Sequence, residues 1–218
     1  MKLYNCLSGE VIFEREVNSI KELVEEAVKL RVCLNYAELN NAKLNNAKLD
    51  YAELNYAELD YAELNNAKLN YAKLNYAELY NAELNSAELN SAELNNAELY
   101  NAELYNAKLN NAKLNNAELY NTNLNNAELN NVELHNVELH NVKGNMKEIK
   151  NISVDKYHIV FTENILAIGC KTFSYEEWEN FKDDEIATLD KGALEWWRKW
   201  KDFIFKAVEL SNIRKEIK

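Results

Sequence analysis

The residues best suited to metal binding, nucleophilic attack or proton transfer are few in this chain: His135, His140 and His158, with Cys6, Cys33 and Cys170. Imidazole and thiolate hold zinc when several of them converge, and a CxxC pair is the usual sign of it. The cysteines here stand far apart and form no such pair, which predicts reduced thiols in a cytoplasmic compartment rather than a disulfide framework. His135 and His140 should occupy neighbouring faces of the last coil of a repeat array and could approach a shared corner, yet no cysteine or clustered acid completes a metal set. Cys170 follows an apolar run and is expected to be a buried structural thiol. Neither a phosphate-binding glycine loop nor a nucleophile motif is present. The expectation is a chain with no catalytic residue, no cofactor and no metal, and hence not an enzyme.

What remains is charge, and its spacing. The 218 residues carry a formal net charge of −11. Residues 32–143 hold 7 Lys or Arg against 16 Asp or Glu, so nearly all the acidity belongs to this stretch. Such a surface disfavours direct binding to nucleic acid or anionic lipid and leaves open a basic partner. No run approaches the ~20 apolar residues that would span a bilayer, and the first ten residues hold no signal-peptide core. A soluble, cytoplasmic protein is expected.

The elements that must position these charges follow from one period. From Leu34 to Leu139 a leucine stands at every fifth residue, 22 in all. Two residues before each is a small or β-branched residue: Val32, then Ala37 to Ala127 with one Thr122, then Val132 and Val137. On an α-helix five residues advance ~500°, so successive leucines would spread around the surface. On a straight strand an odd period throws them onto alternate faces. Leucine and alanine stay on one side only if the backbone turns a corner in each pentapeptide. Four corners of ~90° close a coil of about 20 residues. Leucine and alanine should then fill its interior and leave no ligand pocket inside. The next leucine would fall at position 144, where Gly144 ends the array.

The pattern Ala-(Glu/Lys)-Leu-Asn-(Asn/Tyr) resembles the pentapeptide-repeat family, whose members fold as right-handed quadrilateral β-helices. The resemblance implies an all-β solenoid of about 5.5 coils over residues 32–144. The family's usual Asp or Asn before the leucine is Glu or Lys here almost throughout, Asn123 being the one agreement.

Residues 20 apart should stack, which sorts the outer face into columns. One runs Cys33, Glu53, Lys73, Glu93, Lys113, Glu133 and should neutralise itself. Two are mixed: Lys43, Glu63, Glu83, Glu103, Asn123, Lys143, and Lys48, Lys68, Glu88, Lys108, Glu128. The fourth, Glu38, Glu58, Glu78, Glu98, Glu118, Glu138, has no cation at all. Like charges ~5 Å apart cost stability, modestly in water. Tyr80, Tyr100 and Tyr120 stack beside it, continued by His140, while Tyr36, Tyr56 and Tyr76 form a second aromatic column and Tyr51 and Tyr71 a third. The glutamate column with Tyr80, Tyr100 and Tyr120 is the candidate interaction face. Outward asparagines are expected to form amide ladders.

A solenoid with open ends needs caps. Residues 1–31 read as one: a hairpin of Lys2–Leu7 and Val11–Glu14 around Ser8-Gly9-Glu10, then a helix opened by a Ser19/Glu22 capping box, with Ile20, Leu23, Val24, Ala27 and Val28 as its apolar stripe. Residues 145–218 read as a small α/β capping or interaction module. It should hold a hairpin of Tyr157–Thr162 and Ile165–Cys170, a short helix capped by Ser174 and Glu177, and one long helix from about Leu189 or Lys191 to Ile213. Leu194, Trp197, Trp200, Ile204 and Val208 should form its face, with Leu210 in line and Trp196, Phe203 and Phe205 alongside. That stripe reads as core, the other use being a homodimer interface.

Function is then a protein-interaction or scaffold role for an unidentified partner. The alternative is an acidic mimic of duplex DNA. Gyrase-binding members of the resembled family are acidic rod-shaped dimers of that kind, so the implied target would be a DNA-handling enzyme such as a type II topoisomerase.

Overall fold

A computed structural model describes residues 1–213 of the chain. Its centre is a repeat β-helix in which each pentapeptide contributes one bridged residue. Glu38 pairs with Glu58, Lys43 with Glu63, Lys48 with Lys68 and Glu53 with Lys73, all parallel, and the same four series run on to Lys143. Two backbone bonds close each bridge: Leu39 N–H donates to Glu58 O at 2.8 Å, and Glu58 N–H to Ala37 O at 3.0 Å. Between bridges the chain turns, with Ala42 N–H donating back to Leu39 O at 3.1 Å. The third residue of every such turn, from Tyr36 to Asn141, is left-handed, with φ between 53° and 63°, as type II turns require.

That turn explains half of the asparagine. An L-residue in the left-handed region costs ~1–2 kcal/mol unless it is Gly or, less often, Asn. Asn, Tyr and Ser fill these 22 positions and glycine none. The other asparagine, directly after leucine, does form the expected ladder: Asn75 Oδ1 accepts both the backbone N–H and the side-chain amide of Asn95, at 3.1 and 2.9 Å. Inside, nearly every repeat leucine is at most 2 % exposed. The axial void, lined by the leucines from Leu49 to Leu109, amounts to about 10 Å³. That is at the threshold for a single water, so the coil interior is a packed, dry core.

At the N-terminus β1 (Lys2–Tyr4) pairs antiparallel with β2 (Val11–Glu14). The first strand is shorter than the expected Lys2–Leu7, because the chain changes partner after Tyr4. Asn5 bridges Ala37, Tyr4 O accepts from Glu38 N–H, and Cys6 N–H donates to Tyr36 O. These bonds satisfy the open edge of the first coil. Helix α1 (Ile20–Lys29) is capped by Ser19, whose hydroxyl accepts from Glu22 N–H. The reciprocal bond differs from a capping box, since the Glu22 carboxylate takes the N–H of Asn18 instead. Leu23, Val24 and Ala27 are buried in one continuous cluster with Leu34 and Ala37. Glu25 accepts the otherwise unbridged N–H of Lys48 at 2.8 Å.

At the other end Gly144 stands where leucine would have come. A Cβ there would lie 2.1 Å from the carbonyl oxygen of Ile149, and the fully buried Ile149 joins the leucine cluster instead. The chain then makes four strands, the expected hairpin being the inner pair: β3 (Lys150–Val154), β4 (Tyr157–Phe161), β5 (Ile165–Ile168) and β6 (Lys171–Ser174), antiparallel in that order. Both faces of the inner pair are covered. Val160 and Ala167 pack into the coil's cluster, while Ile159, Phe161, Leu166 and Ile168 face a second cluster built with the helices. Strand β5 ends at Ile168, so Cys170 falls in the turn after Gly169 (φ +58°) and is exposed, not buried.

Helix α2 (Tyr175–Asn180) carries the expected Ser174/Glu177 capping box. The expected long helix is α4 (Ala193–Leu210), which opens after Gly192 (φ +76°), and a further helix that the sequence reading did not anticipate, α3 (Asp183–Leu189), precedes it. The buried face of α4 is Ala193, Trp196, Trp197, Ile204 and Val208. Leu194, Trp200 and Phe205 are half-buried beside it, and Phe203 and Leu210 are exposed at 51 % and 68 %. The expected stripe is thus rotated toward Trp196.

Candidate interaction face

A glutamate column becomes a surface through the bridges that hold it. Glu38, Glu58, Glu78, Glu98, Glu118 and Glu138 are bridged in series, so their backbones lie one coil apart in register. Beside them the rings of Tyr80, Tyr100 and Tyr120 stack with centroids 4.7 and 4.8 Å apart and planes within 6°. His140 continues the stack, tilted by 54°. The coil spacing sets that separation.

Elsewhere on the coil a common arrangement quiets the acids. The asparagine 18 residues earlier donates its amide to the glutamate: Asn45 to Glu63, Asn65 to Glu83, Asn75 to Glu93 and Asn115 to Glu133, at 2.7 to 3.2 Å. Lysines add ion pairs, Lys73 to Glu53 at 3.1 Å, with Lys108 to Glu88 and Lys113 to Glu93 at 3.5 Å. The acidic column departs from this. Asn40 serves Glu58 at 2.7 Å, but Tyr80 and Tyr120 donate their hydroxyls to Glu98 and Glu138. Glu78 has Asp60 at the same offset, a carboxylate that cannot donate when ionised.

The electrostatics follow. Partial burial, then the charges of Asp60, Glu58 and Glu98, push the Glu78 carboxyl above its usual range. Burial and then Glu138 and Glu98 do the same to Glu118. Asp60 is raised as well, first by burial. The bond to Glu98 pushes the Tyr80 phenol upward, burial adding to it.

The tyrosines cost the backbone something too. In an asparagine column Oδ1 accepts the N–H of the residue one coil on, as Asn90 does for Asn110 at 3.2 Å. Asp60 still does so for Tyr80 at 2.9 Å. Tyrosine has no oxygen close to its backbone, so Tyr100, Tyr120 and His140 lose that acceptor. One face therefore gives up charge balance and, from Tyr100 onward, amide capping.

The other two histidines have structural partners. His135 Nδ1 lies 2.9 Å from Asn115 Oδ1. His158 bridges sheet and coil: its Nε2 meets Val142 O at 3.2 Å and its Nδ1 the Ser153 hydroxyl at 3.1 Å, which requires a proton on Nε2. No His, Cys, Asp or Glu cluster able to hold a metal exists among the described residues. Nor is any helix among them long and apolar enough to cross a membrane. Sequence reading missed a cavity among the aromatics of the C-terminal region, because α3, whose Ile186 and Leu189 help to line it, was not read from the sequence.

A parallel-bridged coil repeating every 20 residues, with alanine and leucine inside, defines the class: a repeat β-helix. Eight copies of the family described as pentapeptide repeats match at residues 62–99 and 102–141, so this part of the chain is a pentapeptide-repeat array. Among solved structures it is similar to the pentapeptide repeat protein Rfr23 of the cyanobacterium Cyanothece 51142, with 33 % identity and a TM-score of 0.41. That match covers 42 % of this chain and 63 % of the other, just under two thirds of its length. A pentapeptide repeat protein of the Arabidopsis thaliana thylakoid lumen matches at 18 % identity and a TM-score of 0.29, over 55 % of this chain and 69 % of that one. QnrB1, a plasmid-mediated fluoroquinolone resistance protein, matches at 16 % identity and a TM-score of 0.29, over 48 % and 58 %. Curated protein sequences give no significant match. Proteins of this family are in general structural or interaction proteins.

Proposed function

We propose that this protein is a non-catalytic interaction scaffold. Its working surface is the face of Glu38, Glu58, Glu78, Glu98, Glu118 and Glu138 with Tyr80, Tyr100 and Tyr120, and its partner is a protein with a basic contact surface. In this reading the coil is the right-handed, four-sided form of about 5.5 turns. Residues 1–31 and 145–218 close its two ends. The observation that carries the proposal is that two independent stabilising devices lapse on the same face: Glu78, Glu98, Glu118 and Glu138 have Asp60 or a tyrosine where other columns have asparagine, and the amides of Tyr100, Tyr120 and His140 have no asparagine cap. Tyrosine beside carboxylate supplies a rigid aromatic body with a charged rim, a composition suited to protein recognition. Lysines on the three other columns, three of them paired with glutamate, leave negative charge concentrated on one side. A duplex mimic needs it on more than one.

The test is a pull-down with the intact chain and a variant carrying Glu78→Lys, Glu98→Lys and Glu118→Lys. A control with Glu63→Lys, Glu83→Lys and Glu103→Lys makes the same change in net charge on another column. Loss of the partner in the first variant alone is expected. Equal retention in both sinks the acidic face, and inhibition of topoisomerase supercoiling by the intact chain would favour the mimic instead.

A further inference from the structure

The last coil is covered on three sides and open on the fourth. Leu129, Leu139 and Val142 are at most 1 % exposed, whereas Val132 and Leu134 between them stay half-buried. Leu134 is alone in this among the repeat leucines. A groove of about 570 Å³ opens over the pair, with Thr162 and Ile165 on its other side. That is within the usual size of a binding cleft.

The backbone in the groove lacks partners that the same column has further down. There Lys113 N–H donates to Ala92 O at 2.9 Å, and Leu94 N–H donates to Lys113 O at 2.7 Å. The equivalent residue for Val132 and Leu134 would be Ser153, which pairs with His158 between β3 and β4 instead. The Val132 carbonyl and the Leu134 N–H have no partner among the described residues. A side chain beside them is incomplete in the same way. Glu93 takes the Asn75 amide on Oε2 at 3.2 Å and Lys113, one coil on, at Oε1 at 3.5 Å. Glu88 does the same with Asn70 and Lys108. Glu133 has its asparagine, Asn115 at 2.8 Å, but its Oε1 has no lysine among the described residues. One missing residue would satisfy all three groups.

We infer that this open face binds an extended segment of a partner protein reading small-Lys-Leu, laid parallel to residues 132–134. The lysine N–H donates to Val132 O, and its carbonyl accepts from Leu134 N–H. Its ammonium reaches Glu133 as Lys113 reaches Glu93. The small residue and the leucine cover Val132 and Leu134, as Ala112 and Leu114 lie over Ala92 and Leu94 within the coil. Strand addition of this kind draws affinity from backbone bonds and selectivity from the side chains between them. Glu133 stands outside the all-glutamate column, so this site is independent of the acidic face.

The probe is the pentapeptide Asn-Ala-Lys-Leu-Asn, blocked at both ends and added to the full chain. It should move the Leu134 amide resonance downfield, as a new hydrogen bond does, and leave that of Leu84 in place. Exchange of the Leu134 amide should slow about twofold at half-saturation and further with more peptide. The same peptide methylated on its lysine backbone nitrogen cannot donate to Val132 O and should do neither. Glu133→Gln keeps an acceptor for Asn115 and removes the charge. The peptide should bind that variant about 2- to 5-fold more weakly, the worth of an exposed ion pair. An unmoved Leu134 resonance at tens of millimolar peptide would overturn the proposal, as would equal effects from the methylated peptide or unchanged affinity in Glu133→Gln. Protection of Leu134 that rises with protein concentration alone would overturn it in favour of a second copy of this chain.

Discussion

Two asparagines in each repeat look alike in the sequence and do different physical work. The one after leucine accepts the amide of the next coil; the one before alanine sits at positive φ. A legible clue was which residues replace each. Asp50 and Asp60 occur only in the first position, where an acceptor is needed, and Ser86 and Ser91 only in the second. Six tyrosines, Tyr36, Tyr51, Tyr56, Tyr61, Tyr71 and Tyr76, occupy the left-handed position at a backbone cost. Five of them recover part of it by stacking at 4.7 to 4.9 Å. Tyr61 does not, since Asn41 and Asn81 are its neighbours one coil away, and it is 59 % exposed. Tyr61→Asn should therefore stabilise the chain, by up to ~1 kcal/mol. Asn96→Val, which puts a β-branched residue at φ +58°, should destabilise it by ~1–2 kcal/mol. Urea midpoints decide both, and a neutral result for Asn96→Val would show that the turn tolerates any residue.

Elements were legible where one period served one face. The leucine register and α1 follow directly from spacing, and β4 and β5 read as apolar runs because each buries both sides. Strands β3 and β6, with Lys150, Asn151 and Ser153 or Lys171, Thr172 and Ser174, carry too much polarity to stand out. The long helix was legible as α4, whereas α3 is seven residues long and buries only Ile186, too little for a stripe to show in the sequence. For the candidate face the columns were readable, but their hydrogen bonds were not, since the 18-residue offset comes from side-chain reach across a corner. Those bonds make pH the test at this scale. Glu78 and Glu118 have folded carboxyls raised by burial first and neighbouring acids second. A raised folded pKa means the folded chain binds the proton more tightly. The contribution is complete below the unfolded value of about 4.3 and is lost as pH rises through the folded value. Glu88, held low first by the Asn70 amide, contributes in the opposite sense, its stabilisation lost as pH falls. Comparing the chain with a Glu78→Gln, Glu118→Gln variant isolates the column. The variant should melt higher at about pH 7.5, and the gap should close toward about pH 4. A gap that widens on acidification would contradict the assignment.

At the scale of the whole molecule, stability is a matter of neighbours. Each coil touches only the coil before and after it, so the rod behaves as a chain of coupled units and its ends set where it opens. The two ends are not equally covered. At the first coil, β1, the residues after it and α1 supply backbone partners at Ala37 and Glu38 and a carboxylate at Lys48. At the last, Ile149 fills one corner of the core and His158 meets Val142, yet Val132 and Leu134 stay only half-buried. A groove lined by Leu129 to Asn136 runs between that side and Thr162 to Ile165 of the sheet. In the interior Leu79 and Leu84 donate to Glu98 O and Glu103 O at 2.8 and 2.7 Å, whereas the corresponding acceptor for Leu134 would have to come from residue 153, already committed to β3. Opening should begin there and travel inward, with the N-terminal coils held longest. Native-state hydrogen exchange reads this directly: the Leu134 amide should exchange fastest of the repeat leucines, and those of Leu64 to Leu94 should approach the global unfolding limit. Uniform protection along the rod would mean that the C-terminal sheet closes its coil as completely as the hairpin and α1 close theirs.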